Sequence, residues 1–332
     1  MIRLDPIDAG AIDRLEPLWL ALHAHHQRVA PRLAPFVDDD VSWKKRRRQY
    51  AEVLCGEGFG FIAHENGADI GYLLCAKRPM DWTATFAVPD SLWELVTIYV
   101  KDARRGQGVG AQLLGAMEER LAQHEIKSRL IGVIPDNRGA VALYQARGCR
   151  PTWLILTRFR RPAPAPQPVP AIATAPFDPA QVDALESLWL ALHHHHQAVS
   201  PQLGPWVTDA ASWPVIRALF RESAEAGLLF VAEENGHFIG LASAAIYDID
   251  AYPSYSDTWV TGGRLGETKF LVVAPGQRGK GVGAALMERV DRELTARGVH
   301  DQFVGAIAPN TGAIRFYESR GFRPAWLELT RF

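Results

Sequence analysis

The sequence has little cysteine and no excess of charge of either sign. Its 332 residues include three cysteines, Cys55, Cys75 and Cys149. An odd number is a poor basis for a disulfide framework and fits a reducing compartment, so we expect three buried structural thiols. The 36 basic and 37 acidic side chains leave a net charge of −1. No global field therefore favours nucleic acid or an anionic membrane.

Long apolar runs are also missing. No stretch approaches the roughly 20 residues that a membrane-spanning helix needs. The N-terminal residues lack the apolar core of a signal peptide. We therefore predict a cytoplasmic protein with neither a membrane nor a nucleic acid as its partner, and the sequence leaves its oligomeric state open.

The chain does contain one long internal repeat. The segment Arg105–Ala111 reads RGQGVGA, and Arg278–Ala284 reads RGKGVGA. This period exceeds that of solenoid repeats, so each copy is expected to be a domain with its own core. Alternating prolines over residues 161–170 predict an extended linker. We predict domains at residues 1–160 and 171–332 that dock on each other.

Apolar periodicity within each copy predicts a mixed structure. Helices are expected over residues 11–29 and 42–55, with Asp40 or Ser42 as the N-cap of the second. The fold class is α/β (α+β), with two tandem domains that each contain a mixed, mostly antiparallel sheet and flanking helices. The first copy's predicted strands are 2–5, 59–64, 70–76, 93–100, 129–134 and 152–159, and its later helices are 109–123 and 137–147.

In both copies a glycine loop follows a strand and opens a helix. Its backbone N–H groups and the helix dipole form an anion site suited to a pyrophosphate. A Walker loop is excluded because Ala111 and Ala284 stand in place of its Lys-Ser/Thr pair. A dinucleotide loop fits Gly106-x-Gly108, but it should open the fold and have an acid about 20 residues on, where Ile126 stands. The third alternative is a coenzyme A loop, Arg-x-x-Gly-x-Gly.

A second motif lies on the helix after the next strand. Asn137 and Tyr144 in the first copy return as Asn310 and Tyr317, and a glycine follows each tyrosine four residues on. Either residue alone is typical of a helix cap or a core position. Combined with the Arg-x-x-Gly-x-Gly loop, the pair resembles the GNAT superfamily of N-acetyltransferases over both copies.

The resemblance implies an acetyl-CoA fold in which two strands splay apart around the pantetheine arm. It implies that Tyr144 and Tyr317 protonate the departing thiolate. It also implies that Glu94 or Glu267, near the start of the fourth strand, or a water chain accepts the proton of the attacking amine.

The resemblance also assigns the cofactor-binding residues. Backbone N–H groups near Ile98 and Leu271 would polarise the thioester carbonyl, and the loop would hold the pyrophosphate. The residues carried over are Ile98, Tyr99, Val100, Arg105, Gly106, Gln107, Gly108, Val109, Gly110, Ala111 and Asn137 in the first copy, and Leu271, Val272, Val273, Arg278, Gly279, Lys280, Gly281, Val282, Gly283, Ala284 and Asn310 in the second.

We therefore predict an acetyl-CoA-dependent N-acetyltransferase that acts on a primary amine, most simply of a small molecule, in a ternary complex. The second copy is our choice for the dominant catalytic half, because Pro275 gives its loop the more typical approach where the first copy has Asp102. The tandem arrangement also resembles mycothiol synthase, and acetylation of a cysteinyl amino sugar would distinguish that alternative. A protein N-acetyltransferase and a non-catalytic acetyl-CoA sensor or scaffold are the others.

Three further features are given lesser roles. We assign no metal site, because the histidines at 23, 25, 26 and 193–196 fan around a helix, and we expect them to line the acceptor cleft. The basic run Lys44–Arg48 is expected to be a solvated helix face. The loop Tyr247–Trp259, which has a shorter version at Met80–Trp82, is expected to overhang the acceptor side of the second domain and suit a cationic amine.

Overall fold

The structure is a computed structural model that describes residues 1–78, 84–87, 92–160 and 172–332. The predicted linker and Met80–Trp82 lie outside these residues. The first copy contains β1 (Arg3–Pro6), α1 (Glu16–Val29), α2 (Asp39–Cys55), β2 (Phe59–Glu65), β3 (Ala68–Arg78), β4 (Leu92–Val100), α3 (Val109–Gln123), β5 (Arg129–Val133), α4 (Arg138–Gln145) and β6 (Arg150–Arg158). The second contains β7 (Thr174–Pro176), α5 (Glu186–Val199), α6 (Asp209–Glu225), β8 (Leu229–Glu234), β9 (His237–Asp248), α7 (Pro253–Ser256), β10 (Arg264–Val273), α8 (Val282–Ala296), β11 (Asp301–Ile307), α9 (Thr311–Glu318) and β12 (Arg323–Arg331).

Local sequence explains how the early elements begin. The N-cap of α2 is Asp38, whose carboxylate accepts from the backbone N–H of Val41, rather than Asp40 or Ser42. Ser42 lies inside the helix and instead accepts a hydrogen bond from the Trp19 indole at 2.9 Å. Asn66 and Gly67 have φ of 51° and 79° and form the tight turn between β2 and β3.

The two copies share one twelve-stranded sheet. Its order is β1-β2-β3-β4-β5-β12-β6-β11-β10-β9-β8-β7. The pairs β4–β5 and β10–β11 are parallel, and the other neighbouring pairs are antiparallel. The strand that ends the second copy thus pairs with β5 of the first, and β6 pairs with β11 of the second.

The copies therefore exchange their last strands across the centre of the sheet. We call β1–β5 with α1–α4 the first lobe, and β7–β11 with α5, α6, α8 and α9 the second lobe. Sequence analysis expects each copy to have its own core, but each lobe is completed by a strand of the other copy. One consequence is that side chains of β12 lie beside β5.

Each copy also sends a segment between β3 and β4, or between β9 and β10, onto the other lobe. Ser42 of α2 donates to the carbonyl oxygen of Asp257 at 2.7 Å, and Trp259 bridges to Phe36. In the mirrored contact Ser212 of α6 donates to the carbonyl oxygen of Ala84 at 2.6 Å. The expectation that the loop Tyr247–Trp259 overhangs the second domain is wrong for its C-terminal end, because Asp257 and Trp259 contact the first lobe, whereas Tyr252 packs on Phe303 of β11.

The helices cover both faces of the sheet. In the first lobe, α3 packs on one face through residues such as Leu113 and Met117, and α1 and α2 pack on the other through Leu18 and Tyr50. Cys75 and Cys149 are buried, but Cys55 is exposed, contrary to expectation, because it ends α2. Among the described residues, no helix is both long and apolar enough to span a bilayer.

Candidate active site

In each lobe two parallel strands separate after a short paired stretch. β4 pairs with β5 over Trp93–Leu95, and β10 pairs with β11 over Leu265–Thr268. One extra residue interrupts each strand at that point, Val96 in β4 and Lys269 in β10, because the register with the antiparallel neighbour shifts there. The result is a gap beside the glycine loop, as the resemblance implies.

The glycine loops end as helix N-termini. Gly106 and Gly108 have φ of 74° and 82°, and Gly279 and Gly281 have φ of 78° and 91°. Glycine adopts this left-handed region without strain. As N-caps of α3 and α8, Gly108 and Gly281 bring no side chain to the first-turn N–H groups. These groups and the positive end of the helix dipole make an anion site at each gap.

The arginine of each loop has different surroundings in the two lobes. Arg105 lies 2.8 Å from the carboxylate of Asp102. Arg278 instead contacts Nδ1 of His195 at 3.2 Å. Asp102 also lies 3.1 Å from Arg28, so the first loop has one carboxylate between two arginines, whereas the arginine of the second loop has a histidine as its neighbour.

The two asparagines cap the helices that carry the tyrosines. Oδ1 of Asn137 accepts from the N–H of Ala140 at 3.3 Å, and Oδ1 of Asn310 accepts from that of Ala313 at 3.1 Å. Both residues line the cavity of their lobe. The cap uses the carbonyl oxygen, which leaves the amide N–H groups as donors.

Tyr144 and Tyr317 also line the cavities and are otherwise buried, at 4% and 6% exposure. Burial raises the pKa of both phenols well above the ordinary value. Both hydroxyls therefore stay protonated at neutral pH, which a proton donor requires.

Each gap opens into a cavity, and the two cavities extend to different residues of their lobes. The second-lobe cavity, about 670 Å³, follows the loop and α9 and meets β10 at Leu271 and Val273. The first-lobe cavity, about 530 Å³, continues past the bulge of β4 to Trp19, Arg46 and Thr97.

The exchanged strand β12 forms part of the first-lobe cavity wall through Trp326. This indole lies across Gly132 of β5, where a Cβ atom would come within 2.1 Å of the indole nitrogen. Gly132 is therefore needed for Trp326 to reach the cavity from the other copy.

Most predicted cofactor-binding residues line the cavities, but four lie elsewhere. Gln107 and Lys280 are exposed on their loops, while Val272 and Val282 are buried in the core. The predicted residues that line a cavity are Ile98, Tyr99, Val100, Arg105, Gly106, Gly108, Val109, Gly110, Ala111 and Asn137 in the first lobe, and Leu271, Val273, Arg278, Gly279, Gly281, Gly283, Ala284 and Asn310 in the second.

The two predicted bases lie outside the cavity linings, at the paired ends of β4 and β10. Glu94 lies 3.6 Å from the guanidinium of Arg78, which also lies 3.6 Å from Glu328 of the exchanged strand. Glu267 accepts a hydrogen bond from the hydroxyl of Tyr247 at 2.9 Å. Each carboxylate is thus held by a polar neighbour, cationic in the first lobe and neutral in the second.

Sequence analysis missed a buried polar network in the first lobe. Arg46, taken there for part of a solvated face, is only 3% exposed and lies 2.7 Å from the carboxylate of Asp257. Its guanidinium stacks 3.9 Å from the centre of the Trp19 ring. The Tyr50 hydroxyl donates to Thr97 at 2.9 Å and lies 2.8 Å from the Tyr72 hydroxyl.

The second lobe fills the same positions with apolar side chains. Ile216 stands where the first lobe has Arg46, and Ala84 stands where it has Asp257. The Phe270 ring takes the place of Thr97 and packs 5.4 Å from Phe220 and 5.5 Å from Trp189. Alignment of the two copies could have predicted that Arg46 is buried, because the residue at the same position of the second copy is the apolar Ile216.

His23 and His193 are buried on the inner side of α1 and α5, whereas His194 is exposed and contacts Asp209. Nε2 of His23 donates to the carbonyl oxygen of Val37 at 2.9 Å. His25 and His195 line the cavities near the arginines of the glycine loops, and burial first and nearby arginines second lower their pKa. In the described part of the chain no three His, Cys, Asp or Glu side chains group as metal ligands.

Comparison with known proteins agrees with this geometry. The sequence profile of the acetyltransferase (GNAT) family matches residues 19–149 and 189–322. The chain belongs to the GNAT family of acetyltransferases. It carries two GNAT domains in tandem and is an acyltransferase.

Relatives of this GNAT protein include several enzymes named mycothiol acetyltransferase. That of Frankia casuarinae is 29% identical over 68% of this chain and 64% of its own length, just under two thirds. That of Thermobispora bispora is 27% identical over 66% of this chain and 68% of its own length.

Solved structures share the fold. A GCN5-related N-acetyltransferase from Sphaerobacter thermophilus has a TM-score of 0.57 and 18% identity, over 99% of this chain and 95% of its own. A GCN5-related glucosamine N-acetyltransferase region of a fungal multi-domain β-N-acetylglucosaminidase has a TM-score of 0.56 and 17% identity, over 100% of this chain and 38% of its own.

Proposed function

We propose that this GNAT protein transfers the acetyl group of acetyl-CoA to the primary amine of a small molecule, within a ternary complex. The observation that carries this proposal is the first-lobe cavity, in which a glycine loop, Asn137, Tyr144 and a splayed strand meet. Its acceptor end lies between buried side chains, Trp19 and Arg46, which suits a small molecule better than a flat protein surface.

Acetyl-CoA fits both cavities. The first-turn N–H groups after Gly108 and Gly281 would hold the pyrophosphate, and the gap between the splayed strands would hold the extended arm. The backbone N–H groups that the bulges free near Ile98 and Leu271 would face the thioester carbonyl. Bound acetyl-CoA supplies an activated acetyl group that an unprotonated amine can attack.

Two residues of the first lobe would donate and accept the protons that move in the reaction. Tyr144 keeps its proton because burial raises its pKa, and can give it to the departing sulfur. Glu94 is the carboxylate nearest in sequence to the bulge on the same strand. We propose that it accepts the proton of the amine through water, since it lies outside the cavity lining.

We also propose that transfer takes place in the first lobe, although the sequence favours the second. The first-lobe cavity passes the bulge and reaches Thr97, which leaves space for an acceptor beside the reacting carbonyl. In the second lobe the Phe270 ring takes that space. The second lobe would then bind acetyl-CoA without transferring it.

The direct test is release of free thiol from acetyl-CoA in the presence of a panel of small amines. We expect turnover with at least one amine class and two bound CoA molecules per chain in calorimetry. If neither lobe bound CoA, the result would contradict the proposal. CoA binding with no thiol release for any amine would favour a sensor or scaffold.

An amine precursor of mycothiol is a second candidate acceptor. The relatives named mycothiol acetyltransferase favour it, although the first of them aligns over only 64% of its length. The cysteinyl amino sugar would have to outperform simple amines in kcat/KM by several orders of magnitude to support this candidate.

A further inference from the structure

We propose that Arg46 is a specificity-determining residue that binds an uncharged oxygen atom of the acceptor, a hydroxyl or an amide carbonyl close to the reacting amine. The inference rests on the proposed function and names the acceptor class of the first-lobe cavity. Arg46 lines that cavity together with Trp19 and Thr97. The acceptor is then a hydroxylated or amide-bearing amine rather than a plain alkylamine.

The second lobe shows that the fold does not need the charged network. Arg46 and Asp257 are 4% and 0% exposed, so both charges are desolvated. The same backbone positions of the second lobe hold Ile216 and Ala84, each buried in that lobe's core. Since a buried ion pair gives little stability over an apolar pair, a role other than folding explains the charges in the first lobe.

The guanidinium of Arg46 has more N–H groups than its protein contacts use. Arginine carries five N–H groups. Nη2 forms an ion pair with the carboxylate of Asp257 at 2.7 Å, and Nη1 donates to the Thr97 hydroxyl at a long 3.5 Å. Nη1 and Nη2 carry four of these N–H groups, of which the two contacts use two, whereas Nε is shielded from solvent and is not available to an acceptor. Thr97 itself is occupied, because it accepts from Tyr50 and donates to the carbonyl oxygen of Val96.

The charge of the pair favours a neutral oxygen over a carboxylate. Asp257, supplied by the other copy, balances the guanidinium and holds it against the Trp19 ring. A substrate carboxylate would meet Asp257 as well as Arg46, and the repulsion would cancel much of the attraction. A hydroxyl or amide carbonyl accepts from the remaining N–H groups without that cost.

The test compares three amines built on one ring, namely cyclohexylamine, the vicinal amino alcohol and the vicinal amino acid. For the unmodified protein we expect kcat/KM for the amino alcohol to exceed that for cyclohexylamine by about tenfold to a hundredfold, as one hydrogen bond to a charged donor gives. The amino acid should not be preferred over the amino alcohol.

The decisive variant is Arg46→Ile combined with Asp257→Ala, which reproduces the pair found in the second lobe. Its ratio of kcat/KM for the two uncharged amines should fall to within about threefold of one, mainly through KM for the amino alcohol. The control is Arg47→Ile with Asp13→Ala, an exposed ion pair whose arginine lies next to Arg46 on α2 and whose side chains are 51% and 68% exposed. This control should keep the preference.

Three results would overturn the proposal. They are a ratio near one in the unmodified protein, a preference for the amino acid, and a preference that survives in the Ile/Ala variant. Absence of turnover with the amino alcohol would also count against it. If cyclohexylamine is acetylated while the amino alcohol is not, the proposed acetyltransferase function stands and only the role of Arg46 falls.

Discussion

The two lobes have the same backbone and different interiors. Both present left-handed glycines, a capping asparagine and a buried tyrosine around a splayed pair of strands. On the acceptor side the first lobe has Arg46 and Thr97, and the second has Ile216 and Phe270. The predicted cofactor-binding features are therefore present in both lobes, whereas among the described residues the first-lobe cavity extends past the bulge to Arg46 and Thr97.

This difference separates what the fold requires from what the chemistry requires. Replacing a buried ion pair by apolar side chains is often neutral or stabilising by about 1–4 kcal/mol. The second lobe is the apolar version of the first, on the same framework. Retention of the charged network at Arg46 thus supports the proposal that the first lobe binds the acceptor.

The largest expected effect comes from the tyrosines. Tyr144→Phe should lower kcat by about 10- to 10⁴-fold, because it removes the proton donor and keeps the ring's packing. Acetyl-CoA affinity should change little. Tyr317→Phe is the matched variant and should leave most of the turnover. A loss confined to Tyr317→Phe would move the chemistry to the second lobe.

Exchange of one residue on the acceptor side should have the next largest effect. Thr97→Phe introduces the ring that the second lobe has at Phe270 and should lower kcat/KM for the amine by about a hundredfold, since small misplacements have effects of that size. The mirrored change, Phe270→Thr, should not raise turnover as long as Ile216 remains. Steady-state kinetics at saturating acetyl-CoA measure the effect of each variant. Unchanged kcat/KM in Thr97→Phe would contradict transfer in the first lobe.

A smaller effect is expected at the pyrophosphate end. Asp102 lies 2.8 Å from Arg105 and is 57% exposed. Asp102→Asn should tighten CoA binding in the first lobe by up to about fivefold, the limit for an exposed ion pair, and less at high salt. Calorimetry with the second site blocked measures this change. Weaker binding would mean that Asp102 supports the loop instead.

The smallest effect concerns a feature that the lobes share. The pKa values of His26 and His196 are lowered to about 3, chiefly by burial. Because the folded-state pKa lies below the ordinary 6.5, the unfolded chain binds the proton more readily, and stability is lost as pH falls through 6.5. His26→Leu should show a smaller drop in Tm between pH 7 and pH 5. The exposed His124→Gln should behave like the unmodified protein, and a steeper drop in His26→Leu would contradict the sign.

Sequence reasoning recovers what local patterns encode. The strands, the helices and the two glycine loops follow from periodicity and turn residues, and the pairing of loop and asparagine–tyrosine helix predicts the family. Helix caps are predicted less exactly, since the N-cap of α2 is Asp38 rather than Asp40 or Ser42.

What local patterns do not encode is contact between distant segments. The exchange of β6 and β12 and the docking of Asp257 on Arg46 join residues of different copies. In the basic run Lys44–Arg48, the burial of Arg46 cannot be predicted from local sequence, because the carboxylate that pairs with it belongs to the other copy. The docking of Asp257 and Trp259 on the first lobe could not be predicted for the same reason.

The most direct test of the account compares Gly108→Glu with Gly281→Glu. Each places a carboxylate where the pyrophosphate would lie, at glycines with φ of 82° and 91°, so the backbone strain is matched. Each variant should bind one CoA per chain in calorimetry. Gly108→Glu should lose turnover and Gly281→Glu should keep most of it. Loss of turnover in Gly281→Glu alone, or a loss of about half in each, would contradict a single catalytic lobe at the first glycine loop.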